Sequence, residues 1–144
     1  MVDVRTEIEI DRPREDVAAY AANPDNATAW YENIKAVHWN SAKPLAVGSR
    51  IVFAARFLGK QLDYVYEVKE LDPGERFVMA TAEGPFPMET TYAWEDTEDG
   101  GTKMSLRNRG QPRGFSRVTA PFLVRAMRRA NQRDLRRLKE ALEG

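Results

Sequence analysis

Three tyrosines and two asparagines are the residues of this chain whose types and spacing suit chemistry in a closed site. Tyr64, Tyr66 and Tyr92 carry hydroxyls that donate as weak acids, and Asn108 and Asn131 carry amides that hold a carbonyl oxygen. Cyclisation at activated carbons needs an acid or base to move protons and donors to stabilise an enolate. The base is what this set lacks. Glu67, Glu89 and Glu95 alternate to the solvent side of their strands, so no carboxylate falls clearly on the inner face. Arg56 is the best oxyanion partner by type, but strand register points it outward, as it does Arg107 and Arg109. His38, the one histidine, lies between Val37 and Trp39, which read as the buried pair of their strand, and so faces solvent. The tyrosines are therefore better supported as ligand contacts or satisfied core groups than as catalysts.

Composition narrows the chemistry further. The chain has 144 residues, enough for one domain to bury a core unaided, and nothing in it reads as a linker. With no cysteine and one histidine it offers no disulfide, thiolate nucleophile or multi-histidine metal site, and no metal or cofactor is expected. There is no G-x-G-x-x-G or phosphate-cradling loop. The opening residues alternate apolar and charged types, and no apolar run is long enough to span a bilayer, so a cytoplasmic protein without integral membrane association is expected. Net charge is zero, yet residues 113–144 hold nine Arg or Lys against three Asp or Glu. A basic helix of this kind can bind nucleic acid or a protein partner. No aromatic residue lies on its charged face to stack a base, so no nucleic acid is expected, and ordinary surface pairing accounts for the charge.

The elements that must position these side chains follow from periodicity. Val2, Val4, Thr6, Ile8 and Ile10 alternate with polar residues as a first strand. Asp11 or Arg12 is expected to cap a short helix with Pro13 in its first turn. Asn23-Pro24 breaks that helix, and a second short one carries Trp30 and Tyr31. Strands follow at 34–41, 50–58, 61–71, 76–83, 88–96 and 102–110, with turns at Gly59-Lys60, Asp72-Pro73-Gly74-Glu75 and Asp99-Gly100-Gly101. The last stretch, Gly114 to Glu143, reads as one long amphipathic helix. Its buried stripe is Phe115, Val118, Phe122, Met127, Asn131, Leu135, Leu138 and Leu142, and Pro121 marks a kink or the start of its main segment.

Period-two alternation then assigns the inner face. Ile51, Phe53, Ala55 and Phe57 share it with Leu62, Tyr64, Tyr66 and Val68, with Phe77, Met79 and Thr81, with Met88, Thr90, Tyr92 and Trp94, and with Met104, Leu106 and Asn108. An aromatic and methionine-rich face is commonly solid core. Three tyrosine hydroxyls and two amides on that face would each need a partner in a dry interior, which favours a cavity.

This order of elements, with Ile8-Glu9-Ile10-Asp11-Arg12-Pro13, Asn23-Pro24 before Trp30, Tyr66-Glu67-Val68, Gly100-Gly101-Thr102-Lys103-Met104 and Asp134-Leu135 with Leu138-Lys139, resembles the START-like or Bet v 1-like superfamily, also labelled SRPBCC or polyketide cyclase/dehydrase proteins. The resemblance spans the chain and implies an α+β helix-grip fold: a curved seven-stranded antiparallel sheet wrapped around a long C-terminal helix. It also implies an internal cavity, with Trp30 near its entrance and Phe86 in the Gly84 to Pro87 loop opposite, or with Trp30 as a plug sealing the sheet end. The expected ligand is a small hydrophobic or amphipathic molecule touching Trp30, Phe53, Phe57, Tyr64, Tyr66, Met79, Met88, Tyr92, Met104, Asn108, Phe122, Met127 and Asn131. The alternatives are a polyketide cyclase or dehydratase using the cavity tyrosines and asparagines, and a protein-interaction module using the basic helix. The sequence leaves the oligomeric state open, a homodimer among the states it allows.

Overall fold

The computed structural model describes residues 2–57, 59–83, 87–110 and 120–144. The side chain of Phe57, the loop holding Phe86, and Phe115 and Val118 lie outside the described residues. The elements run β1 (Val2–Ile10), α1 (Arg14–Ala22), a 3-10 turn (Pro24–Asn26), α2 (Ala27–Trp30), β2 (Ile34–Trp39), β3 (Arg50–Phe57), β4 (Lys60–Asp72), β5 (Arg76–Glu83), β6 (Met88–Asp96), β7 (Thr102–Gly110) and α3 (Ala120–Glu143).

All seven strands join one antiparallel sheet in the order β1-β7-β6-β5-β4-β3-β2. β2 to β7 form a meander of consecutive neighbours, and β1 closes its far edge by pairing with β7. Local chemistry explains the connections. Asp72-Pro73-Gly74-Glu75 closes with Glu75 N–H donating to Asp72 C=O at 3.0 Å, and Gly74 takes the positive φ of +80° that a type II turn requires. The sheet bends because β4 slips register against β5 twice, between Val65 and Tyr66 and between Val68 and Glu70, and such bulges increase local twist.

The curved face packs on α3. Its core divides into two clusters, and that division positions the site. The larger gathers Ile10, Val17, Trp30, Ile51, Val68, Phe77, Trp94, Met104 and Leu106 against Leu135, Leu138 and Leu142 on the second half of α3. The smaller sets Val2 and Val4 against Leu123, with Val124 and Met127 packed beside it. The helix therefore bridges two packed ends. The chain entering α1 is tied to the end of α3: Asp11 N–H donates to Glu143 Oε2 at 2.9 Å and Arg12 Nη1 donates to Leu142 C=O at 2.7 Å.

Two local expectations are corrected. Neither Asp11 nor Arg12 caps α1; Pro13 occupies the cap position with no side-chain cap bond, because Arg12 turns away to Leu142 and Asp16. Phe122 does not join the buried stripe of α3. It is 69% exposed, while Leu123, one residue on, is buried. With Pro121 in the first turn the helix starts at Ala120, and a 100° step per residue carries Leu123, not Phe122, onto the line of Met127 and Asn131. Phe122→Ser is thus expected to change unfolding free energy by less than about 0.5 kcal/mol, and Leu123→Ala to cost about 2–4 kcal/mol. Urea unfolding of the two variants checks this, and equal losses would put Phe122 back in the core.

Candidate functional site

Between the two core clusters, under the first half of α3, a cavity of ≈ 190 Å³ remains. The helix passes over it with Leu123, Met127, Ala130, Asn131 and Asp134; β3 to β7 supply Phe53, Ala55, Tyr64, Tyr66, Met79, Met88, Thr90 and Asn108; Tyr31, Asn33 and Ile34 close it from the α2–β2 side. Leu135, Leu138 and Leu142 fill the space under the second half of the helix, whereas Ala130, with only a methyl group, leaves room under the first half.

Register places the polar groups. Thr90 pairs with Asn108 across β6 and β7, and Thr90 Oγ1 donates to Asn108 Oδ1 at 2.7 Å. Phe53 pairs with Tyr64 across β3 and β4, and the Phe53 and Tyr66 rings meet edge-on with centroids 5.6 Å apart. Burial pushes the Tyr66 hydroxyl up to about 12 despite an opposing hydrogen bond with Thr90. The Tyr31 and Tyr92 hydroxyls bond to each other, and burial holds both well above the usual tyrosine value, the Asp134 carboxylate adding to the effect on each. These tyrosines are neutral donors at any physiological pH.

Asp134 is the group that sequence reasoning missed. It is 3% exposed and lines the cavity. Burial raises its pKa from 3.8 to about 6, against the Glu32 N–H that donates to Oδ1 at 3.2 Å and the nearby Arg133 and Arg137. The signal was available: Asp134 follows Asn131 by three and precedes Leu138 by four, which places it on the buried face. Treating it as part of the charged back of the helix hid a carboxylate on the inner face. One turn earlier, Asn131 is 6% exposed and its amide nitrogen has no hydrogen-bond partner among the described residues.

Of the residues expected to touch a ligand, Phe53, Tyr64, Tyr66, Met79, Met88, Asn108, Met127 and Asn131 line the cavity. Tyr92, Trp30 and Met104 do not. They form the layer beneath, where Trp30 is fully buried with its ring centroid 4.0 Å from that of Tyr31 and 5.7 Å from that of Tyr92. Trp30 is thus not at an entrance; it backs Tyr31, which takes the cavity position. Phe122 points to solvent, and the Phe57 side chain and Phe86 lie outside the described residues.

This sheet, helix and cavity have relatives. The family profile described as polyketide cyclase/dehydrase and lipid transport matches residues 1–143. The chain belongs to that family. Among solved structures, TTHA0849 from Thermus thermophilus superposes with a TM-score of 0.83 at 20% identity, covering 96% of this chain and 94% of that one. A START superfamily protein from Mycobacterium smegmatis gives 0.72 at 13% identity, over 99% and 94%. The di-domain ARO/CYC BexL from the BE-7585A biosynthetic pathway gives 0.78 at 20% identity, over 99% of this chain and 47% of that one. At these identities the likeness is one of fold, the START-like helix grip. No curated protein matches the chain.

Four basic side chains of α3 in this family member are engaged within the domain. Arg133 pairs with Glu32, Arg128 donates to Arg5 C=O at 3.2 Å, Arg137 to Ala29 C=O at 3.3 Å, and Lys139 to Glu9 C=O at 2.8 Å. No helix among the described residues is long and apolar enough to cross a membrane.

Proposed function

We propose that this protein binds a small hydrophobic or amphipathic molecule, lipid-, polyketide- or aromatic-like, in the cavity between its sheet and α3, and does so in the cytoplasm. The observation that carries the reading is the site's make-up: apolar and aromatic walls with a few polar groups gathered at Asn108, Asn131 and Asp134. Phe53, Tyr64, Tyr66, Met79, Met88 and Met127 are the apolar contacts. The test is native mass spectrometry of freshly purified protein, followed by extraction. A stoichiometric extra mass lost on denaturation is expected, and Ala130→Phe, which fills the cavity under α3, should remove it while the fold is retained. A mass that persists in the filled variant would place the ligand elsewhere.

A second reading, a cyclase or dehydratase, is favoured by Asp134. A carboxyl raised to about 6 takes and returns a proton efficiently, and its charge is felt by the Tyr31 and Tyr92 hydroxyls. Under that reading Asp134→Asn lowers turnover about a hundredfold or more while leaving the extracted ligand bound.

A further inference from the structure

We propose that the polar end of this cavity is a cation site, and that the ligand is an organic amine on an aromatic or apolar body, held with its ammonium group against Asp134. The inference rests on the cavity reading above and names the ligand's polar part. Asp134 is the one charged side chain lining the cavity among the described residues. The cations near it have closer partners: Arg133 pairs with Glu32 and reaches Asp134 Oδ1 only in a long ion pair at 4.0 Å, Arg137 donates to Ala29 C=O, and their attraction does not offset the burial of Asp134. Of the other titratable groups around it, Glu32 adds negative charge and is paired with Arg133, while Tyr31 and Tyr92 are neutral and bonded to each other. Asp134 accepts a hydrogen bond from Glu32 N–H at Oδ1, whereas a carboxylate has room for several.

A buried charge of this kind costs stability unless a partner meets it. An ammonium supplies that partner and brings three donors. One goes to Asp134, and the side-chain oxygen of Asn131, one turn away on the same helix face, is the acceptor type that can take a second. Tyr31, Phe53, Tyr64 and Tyr66 line the same space, and aromatic faces attract a cation further. A neutral hydroxyl would use the hydrogen bonds but neither the charge nor the rings. Size sets the body: an apolar cavity of about 150 Å³ takes a benzene, so ≈ 190 Å³ takes one ring with a short side chain.

The test is an NMR titration of the full chain with three near-isosteric probes: 2-phenylethylamine, 2-phenylethanol and phenylacetate. The amine is expected to bind at least about tenfold tighter than the alcohol, with phenylacetate weakest. Asp134→Asn should remove the amine's advantage and leave the alcohol within about threefold, which also shows that the variant's cavity is intact. In the wild type, lowering the pH from 8 to 5 should weaken the amine about tenfold as Asp134 takes up its proton, with the alcohol unmoved. Equal binding of amine and alcohol, or an amine affinity indifferent to Asp134→Asn, overturns the cation site while the cavity reading stands. Absence of binding by all three probes overturns both.

Discussion

Trp30→Ala is expected to remove about 3–5 kcal/mol of stability, the largest loss we expect from a single change in this chain. Trp30 is fully buried in the larger core cluster, at the end of a helix of only four residues that has no stability of its own. Its ring is the surface on which Tyr31 stacks and against which Tyr92 tilts. Removal leaves a cavity where the α2–β2 connection meets the sheet, and relaxation there is limited because Trp94 and Phe77 already crowd Tyr92 from the other side. Trp30→Phe separates packing from polarity. The indole N–H has no hydrogen-bond partner among the described residues, so the smaller ring gives up contact area but no bond there, and its loss should be less than half that of alanine. A domain of this size is stable by about 5–15 kcal/mol, so the alanine variant should still fold at low temperature, and denaturant midpoints can be compared. A loss below about 1 kcal/mol would mean that the indole sits at an entrance rather than in the core.

Asp134→Asn is expected to do the opposite and stabilise the protein at neutral pH, by up to about 3 kcal/mol. The sign follows from the direction of the shift. In the folded state the carboxyl titrates near 6, in the unfolded chain near 3.8. Between those values the native state holds the proton more tightly, so stability falls as pH rises through the window, and the full penalty stands above it. Below about 3.8 Asp134 is protonated in both states and the penalty vanishes. Asparagine never ionises and keeps an oxygen for the Glu32 N–H. The variant's midpoint should therefore lie roughly 5–10 °C above wild type at pH 7.5 and converge with it near pH 4. The exposed carboxylates held low by cationic neighbours, Asp3 beside Arg107 and Glu7 beside Lys103 among them, titrate alike in both proteins and cancel in the difference. A flat difference across pH 4–7.5 would refute a raised Asp134. A stabilising substitution at a buried acid is the expected signature of a residue kept for what it binds.

Much of this was legible in the sequence. Side chains alternate because the pleat is a property of each strand, so Tyr64 and Tyr66, Met79, Thr90 and Asn108 fell on the concave face whatever the strands packed against. The turn at Asp72–Glu75 depends on the φ of Gly74 and needs no distant contact. The family and its helix-grip fold followed from the order of such local features. What tertiary structure decided was depth. Tyr64 and Tyr92 share a face by period, yet one lines the cavity and the other lies beneath it, because only the latter is covered by Tyr31 and Trp30. Phe122 and Leu123 are neighbours of similar hydrophobicity, and the point at which α3 starts set which of them is buried. Asp134 looked like one more charge on a basic helix until the crossing of α3 over β3 to β7 placed it against the cavity. Which side chains fill a core and which border a void depends on how far apart two packed surfaces are held, and that distance is set by contacts remote in the chain.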